Sequence, residues 1–185
     1  MKKNLLLPLT VVFSMLLVCS CVKDVDFDQA QNITLTPVVE LDLIYFNLDA
    51  GDFFDTISNT QRLTVRDTTE IRFLDDTGVQ ESLKRAEFLF NFTNTINREF
   101  QVEFQFINEM NQETYYTSTT VSAGNVGNPV ATQFIENVEG PEILELTMAD
   151  RVVVSVTVET IDETVAGELN LQSKTTYYLE IKDRS

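Results

Sequence analysis

The chain contains no His and no Trp, and its two Cys, Cys19 and Cys21, stand close together near the amino terminus. Without imidazole there is no Ser-His-Asp or Cys-His relay and no His metal ligand. With both thiols inside or just after a targeting segment, thiolate catalysis, zinc fingers and a disulfide framework are excluded as well. Basic residues are also scarce: 13 Lys+Arg face 29 Asp+Glu, a formal charge of -16 over 185 residues. No Lys/Arg cluster interrupts the acidity, so a phosphate backbone is repelled and nucleic acid is not an expected partner. Gly-x-Ser-x-Gly, Ser-x-x-Lys, P-loop and dinucleotide fingerprints are all missing, and no catalytic residue is expected.

What is present begins with an export signal. Met1-Lys2-Lys3-Asn4 is a short basic start, and the apolar run from Leu5 to Val18, interrupted by Pro8, is only 14 residues long. A spanning helix needs about 20 apolar residues, so residues 1–20 read as a signal peptide. The run ends in Val18-Cys19-Ser20-Cys21, which resembles the bacterial lipoprotein box: an aliphatic residue, two small ones, then the Cys that is acylated. The resemblance implies cleavage before Cys21, a diacylglycerol on its sulfur, and usually a third acyl chain such as palmitate on the new amino group. Since each buried CH₂ adds about 0.8 kcal/mol, two or three chains hold a protein on a bilayer without a transmembrane helix.

Removing residues 1–20 takes away Lys2 and Lys3 and no acid, so the mature chain carries -18. Anionic head groups repel such a body, which favours a domain standing off the bilayer on a flexible tether, residues 21–36. Lys23-Asp24, with Asp26 behind it, resembles in part the acidic export tag of surface-exposed lipoproteins of the Bacteroidota lineage; Val25 takes the second acidic position. The implied address is the outer membrane, lipid-anchored and on the cell surface, with the periplasmic face as the alternative.

From Val38 onward apolar and polar residues alternate in runs rich in Val, Ile, Phe, Thr and Tyr, the pattern of half-buried strands. Residues 37–185 are expected to form an all-β domain, a single antiparallel β-sandwich of Greek-key or immunoglobulin-like order with one short crossover helix. Val39, Leu41, Leu43 and Tyr45 form one stripe, while Ile44, Phe46 and Leu48 make the opposite face apolar too, which suits a central strand or a second layer. Phe88, Phe90 and Phe92, then Phe100, Val102, Phe104 and Phe106, predict a hairpin over 83–107 turning at Asn94-Thr95-Ile96-Asn97. Both stripes are even-numbered, so paired residue numbers must add to an even total. Further strands are predicted over 68–74, 114–121, 130–138, 152–159 and 169–181, with a short one at 63–66. Gly140-Pro141-Glu142 ahead of Ile143, Leu144, Leu146 and Met148 predicts the helix.

Asp49, Asp52 and Asp55 share a strand-to-strand loop with Gly51, where three carboxylates could surround Ca²⁺; a solvated loop is the plainer reading, and no cofactor is expected beyond the lipid. Phe53-Phe54 in that loop either plug the open end of the sandwich or meet a partner. With Ile44 and Phe46 they are the candidate contacts for another envelope protein. Tyr115-Tyr116 and Tyr177-Tyr178 are adjacent strand residues, so one of each pair points outward. Tyr116 and Tyr178 are the candidate glycan contacts, Tyr178 because Tyr177 shares parity with Leu179. Glu159, Asp162 and Glu163, or Glu142 and Glu145, are the acids from which a glycosidase pair would have to come.

Tag, charge and fold together resemble the small β-sandwich outer-membrane lipoproteins of the Bacteroidota lineage, a resemblance that implies no activity. The expected function is a non-catalytic interaction or accessory module on the outer membrane. A glycan-binding lipoprotein of a nutrient-uptake system is the alternative, and a carboxylate-dependent hydrolase comes third.

Overall fold

The computed structural model describes residues 34–182. The chain divides into two units, 1–34 together with 182–185, and 35–181; the second is the folded domain described below. Cys21, Lys23, Asp24 and Asp26, which carry the anchor and the tag, lie outside the described residues. Among the described residues no helix is long and apolar enough to cross a membrane.

The main strands are β1 Val38–Asp49, β2 Thr64–Glu70, β3 Leu83–Asn94, β4 Phe100–Ile107, β5 Glu113–Val121, β6 Val130–Glu139, β7 Arg151–Val158 and β8 Glu168–Leu179. They form two four-stranded antiparallel sheets, ordered β1-β8-β3-β6 (sheet I) and β2-β7-β4-β5 (sheet II). The pairing is nested: β1 with β8, β2 with β7, β3 with β6, β4 with β5. A long antiparallel ribbon, turning between β4 and β5, has been rolled so that β8 also pairs with β3 and β7 with β4. The expected antiparallel sandwich is therefore present, and its Greek keys follow jelly-roll rather than immunoglobulin order.

Alternation places Phe88, Phe90 and Phe92 of β3 and Phe100, Phe104 and Phe106 of β4 in the core, essentially without exposure. These two strands do not pair, which corrects the predicted hairpin. They lie in opposite sheets, and residues 95–99 carry the chain across the roughly 10 Å between sheet faces. The rings of Phe90 and Phe104 stack at 3.9 Å between centroids, and Phe88 meets Phe106 at 5.2 Å. Each facing pair adds to an even total, so the parity rule is obeyed by side chains across the core instead of by a backbone ladder. The physical reason is area: two stripes of bulky rings bury more by meeting face to face than side by side in one sheet.

Asn94, fully buried, forms the corner of this arch. Its Nδ2 donates to Arg98 O and Ser122 O, each at 2.9 Å, and its Oδ1 accepts from Ile96 N at 2.8 Å.

β1 is an edge strand of sheet I, not a central one. Its apparent two-sidedness comes from a bulge. Tyr45 pairs with Gln172 and Asp42 with Lys174, so Leu43 and Ile44 together oppose Ser173. The Ser173 hydroxyl holds the bulge, accepting from Ile44 N at 3.0 Å and donating to Ile44 O at 2.8 Å. On one side of it Val39 and Leu43 pack against the core; on the other Ile44, Phe46 and Leu48 do.

The strand predicted over 68–74 and the short one at 63–66 are a single strand, β2, followed by a 3-10 turn over Arg72–Asp75. The predicted helix is α2, Glu142–Leu146, carrying the chain from sheet I to sheet II between β6 and β7. A second helix, α1 over Thr77–Ser82, has no apolar period to announce it; Asp76 caps it by accepting from Val79 N at 3.0 Å.

Candidate functional site

The residues singled out in the sequence are dispersed by the fold. Ile44 and Phe53 are buried, and Phe46 and Phe54 pack half-buried against the core, so the four do not form one exposed surface. Phe53 instead plugs the end of the sandwich, its ring 5.2 Å from that of Phe100.

Asp49, Asp52 and Asp55 do not converge. The Asp52 carboxylate accepts from Asp49 N at 2.8 Å, closing a 3-10 turn over Ala50–Phe53. Asp55 serves a separate turn, taking Ile57 N at 2.9 Å and the Ser58 hydroxyl at 2.6 Å. Among the described residues no three acids or thiols are grouped as a metal site.

Tyr116 and Tyr178 lie on opposite outer faces of the sandwich, so they cannot share one ligand. Tyr116 is exposed and donates to Glu103 at 3.1 Å. Tyr178 is half-exposed, as its parity required, but the Arg85 guanidinium sits 3.8 Å above its ring and already occupies that face.

The two open sides of the jelly roll differ. Where β5 faces β6, Glu136 points inward between the sheets and accepts from the Tyr115 hydroxyl at 2.7 Å and from Thr117 Oγ1 at 2.8 Å. Burial, then the bond to Glu136 and the nearby charges of Glu142 and Glu145, hold the Tyr115 hydroxyl well above its usual pKa, so it stays a donor. Where β1 faces β2, no hydrogen bond or ion pair joins the two strands among the described residues.

That open side contains a groove of about 640 Å³, with Leu41 and Leu43 of β1 on one wall and Ile71 and Phe73 after β2 on the other. Tyr177 and Thr175 of β8 form its floor, and the Phe73 and Tyr177 rings lie 4.6 Å apart. Asp42, Glu70 and Arg72 stand on the rim, the last two paired at 2.7 Å. Farther along the same two strands a narrow apolar slot of about 160 Å³ opens between Phe46, Leu48, Val65 and Val156. The alternation of β1 and β8 was legible in the sequence, but not which two edge strands would stand opposite each other.

The floor holds an unmet polar group. Thr175 Oγ1 is buried and, among the described residues, has no partner in good hydrogen-bond geometry, the Tyr177 hydroxyl alone being near enough to feel it. Burial pushes the neighbouring Tyr177 hydroxyl above its usual pKa, with Thr175 offsetting part of the rise. Thr175→Val should therefore stabilise the domain, by about 1 kcal/mol, since it removes a desolvated hydroxyl at nearly constant shape. Urea unfolding of the two forms measures this. A loss of stability would show that the hydroxyl is bonded after all.

No protein-family profile matches the chain, and no curated protein matches it. Among solved structures it is similar to a protein of Parabacteroides distasonis described as secreted, at 11% identity and a TM-score of 0.46 over 66% of this chain. It is also similar to the VP2 subviral particle protein of infectious bursal disease virus, at 7% identity and a TM-score of 0.47 over 77% of this chain. The chain spans 38% of the first and 32% of the second. At these values neither neighbour bears on activity.

Proposed function

We propose that this chain is a non-catalytic interaction module of the cell envelope, anchored to the outer membrane by lipid on Cys21 and facing outward. Its binding site is the groove between β1 and β2, and its partner is an extended, apolar-faced segment of another envelope protein. The observation that carries this reading is the asymmetry of the sandwich: one open side is stitched through Glu136, the other is left open between two edge strands. Edge strands carry free backbone N–H and C=O groups, which give an added strand its affinity, while hollows for alternate side chains give it specificity. The groove and the slot beyond it lie in line along β1 and β2 and supply such hollows.

Two of the acids singled out in the sequence are committed to turns. Asp55 is held below the usual carboxylate range by the Ser58 hydroxyl and then by the Ile57 and Ser58 N–H groups. Asp162 is lowered in the same way, by the Thr164 hydroxyl first and then the Thr164 N–H. A proton-donating acid needs the opposite displacement.

A photoreactive residue placed at Thr69, on the groove, should cross-link on intact cells to one envelope protein, whereas the same residue at Thr120, on the outer face of sheet II, should not. Equal capture from both positions, or none from Thr69, would remove the groove from consideration. In the same cells Cys21→Ala should lose the acyl label and leave the membrane fraction. Retention in that fraction would contradict the anchor.

A further inference from the structure

The bulge in β1 has brought an unforeseen tyrosine to the surface. Tyr45 belongs by sequence parity to the stripe of Val39, Leu41 and Leu43, yet beyond Leu43–Ile44 the odd residues turn outward, and Tyr45 is 53% exposed. Cross-strand register then sets it at the end of a row running the width of sheet I: Tyr45, Gln172, Asn91, Gln133. The next row on the same face is Asn47, Asn170, Thr93, Ala131. In a chain with 29 acids, these two complete rows carry no charge, and five of their eight side chains are carboxamides. The field is bounded on one side by Asp42 and Lys174, the Asp42 carboxylate lying against the Tyr45 hydroxyl and raising its pKa, and on the other by Asp49 and Glu168.

The field is also partly preset. Gln133 Nε2 donates to Asn91 Oδ1 at 2.9 Å, Asn47 Nδ2 to Glu168 at 2.8 Å, and Asn170 Nδ2 to Phe46 O at 3.3 Å. Each bond fixes one end of an amide and leaves donor or acceptor capacity facing outward. Gln172, at the centre and exposed, has no side-chain partner among the described residues. Ala131 and Thr93 are small, so the surface steps down beside the longer amides of the first row.

We infer that this face binds a neutral glycan chain, with the Tyr45 ring packing against the C–H face of one sugar and the amides of Gln172, Asn91 and Gln133 hydrogen-bonding its hydroxyls. A carboxamide both donates and accepts, as a hydroxyl does, so rows of them match a ligand made of hydroxyls. An anionic ligand finds no cation within the two rows and meets the carboxylates of Asp42 and Glu168 at their ends, which favours a ligand without charge. Strands about 4.8 Å apart and same-face residues about 6.8 Å apart along each strand make a regular array suited to a repeating chain. An aromatic ring at one end supplies apolar area at low entropic cost. The groove between β1 and β2 takes no part, so the two sites stand or fall separately.

The test is NMR titration of the intact chain with neutral cello-, manno- and galacto-oligosaccharides and with an oligogalacturonate as the charged comparator. At least one neutral series should shift the side-chain amide resonances of Asn91, Gln133 and Gln172, and the oligogalacturonate should not. Tyr45→Ala and Gln172→Ala should each weaken binding at least tenfold with unchanged melting, while Tyr45→Phe and Tyr116→Ala keep it. Unmoved amides across all three neutral series, or equal binding by Tyr45→Ala, would overturn the assignment.

Discussion

Asn94→Ala should lower the free energy of unfolding by about 3 kcal/mol or more, through three bonds made by one side chain. Truncation leaves the carbonyls of Arg98 and Ser122 and the N–H of Ile96 without their partner at a fully buried corner. Each such group costs about 1–3 kcal/mol when water cannot replace the bond, and the sum is less than additive. Water has little room there, because neighbouring turns press backbone against backbone. A Cβ at Gly124 would lie 1.9 Å from Asn94 O, and one at Gly167, whose φ is +116°, would lie 2.5 Å from Thr95 O. For a domain with a total stability of about 5–15 kcal/mol the loss is large, and should appear as a fall in Tm of about 10 °C. Urea midpoints at constant slope would measure it. A change under about 1 kcal/mol would show that the corner admits solvent. Asn94→Asp should do no better than alanine, since it keeps the acceptor for Ile96 but turns a carboxylate oxygen toward two carbonyls.

Phe90→Ala and Phe104→Ala should each cost about 3–5 kcal/mol, the range for emptying a large aromatic site in a closed core. The two losses should not add. With centroids 3.9 Å apart and planes inclined by 27°, each ring is the other's main partner across the sheets, and a double-mutant cycle should give about 0.5–1.5 kcal/mol of coupling. Strict additivity would mean that the stack contributes nothing beyond buried area. Phe134, 5.9 Å from Phe90 on the neighbouring strand, should keep β3 registered to β6 in either single variant.

The Phe stripes of β3 and β4 were plain in the sequence because alternation reports which residues are inside. It does not report whether two inward stripes lie side by side or face to face, and that difference turned the predicted hairpin into an arch. The bulge in β1 was hidden for a related reason. A parity change at Leu43–Ile44 looks the same as a strand apolar on both sides, and only the hydroxyl of Ser173, 129 residues away, reveals which it is. Tyr45 falls in the stripe of Val39, Leu41 and Leu43 for that reason, and the amide rows of sheet I exist only once four strands are set in register. The helix α1 had a single local sign, Asp76 ahead of Val79, in a segment with no apolar period. The plug by Phe53 needed only the position of two aromatics in a loop, and the loop acids were resolved by their nearest N–H groups.

Nested pairing has a consequence for the order in which the domain can be completed. β1 is the first of the eight strands along the chain, and its ladder partner among the described residues, β8, is the last. The ribbon can zip from β4 and β5 outward, but sheet I cannot close until residues 168–179 are free to pair. Loop closure over such a span is slow and is paid for late, so β1 spends the longest time as an unpaired apolar strand. Glu40, Asp42 and Asp49, spaced along it, are the charges that discourage it from pairing with the wrong edge during that interval.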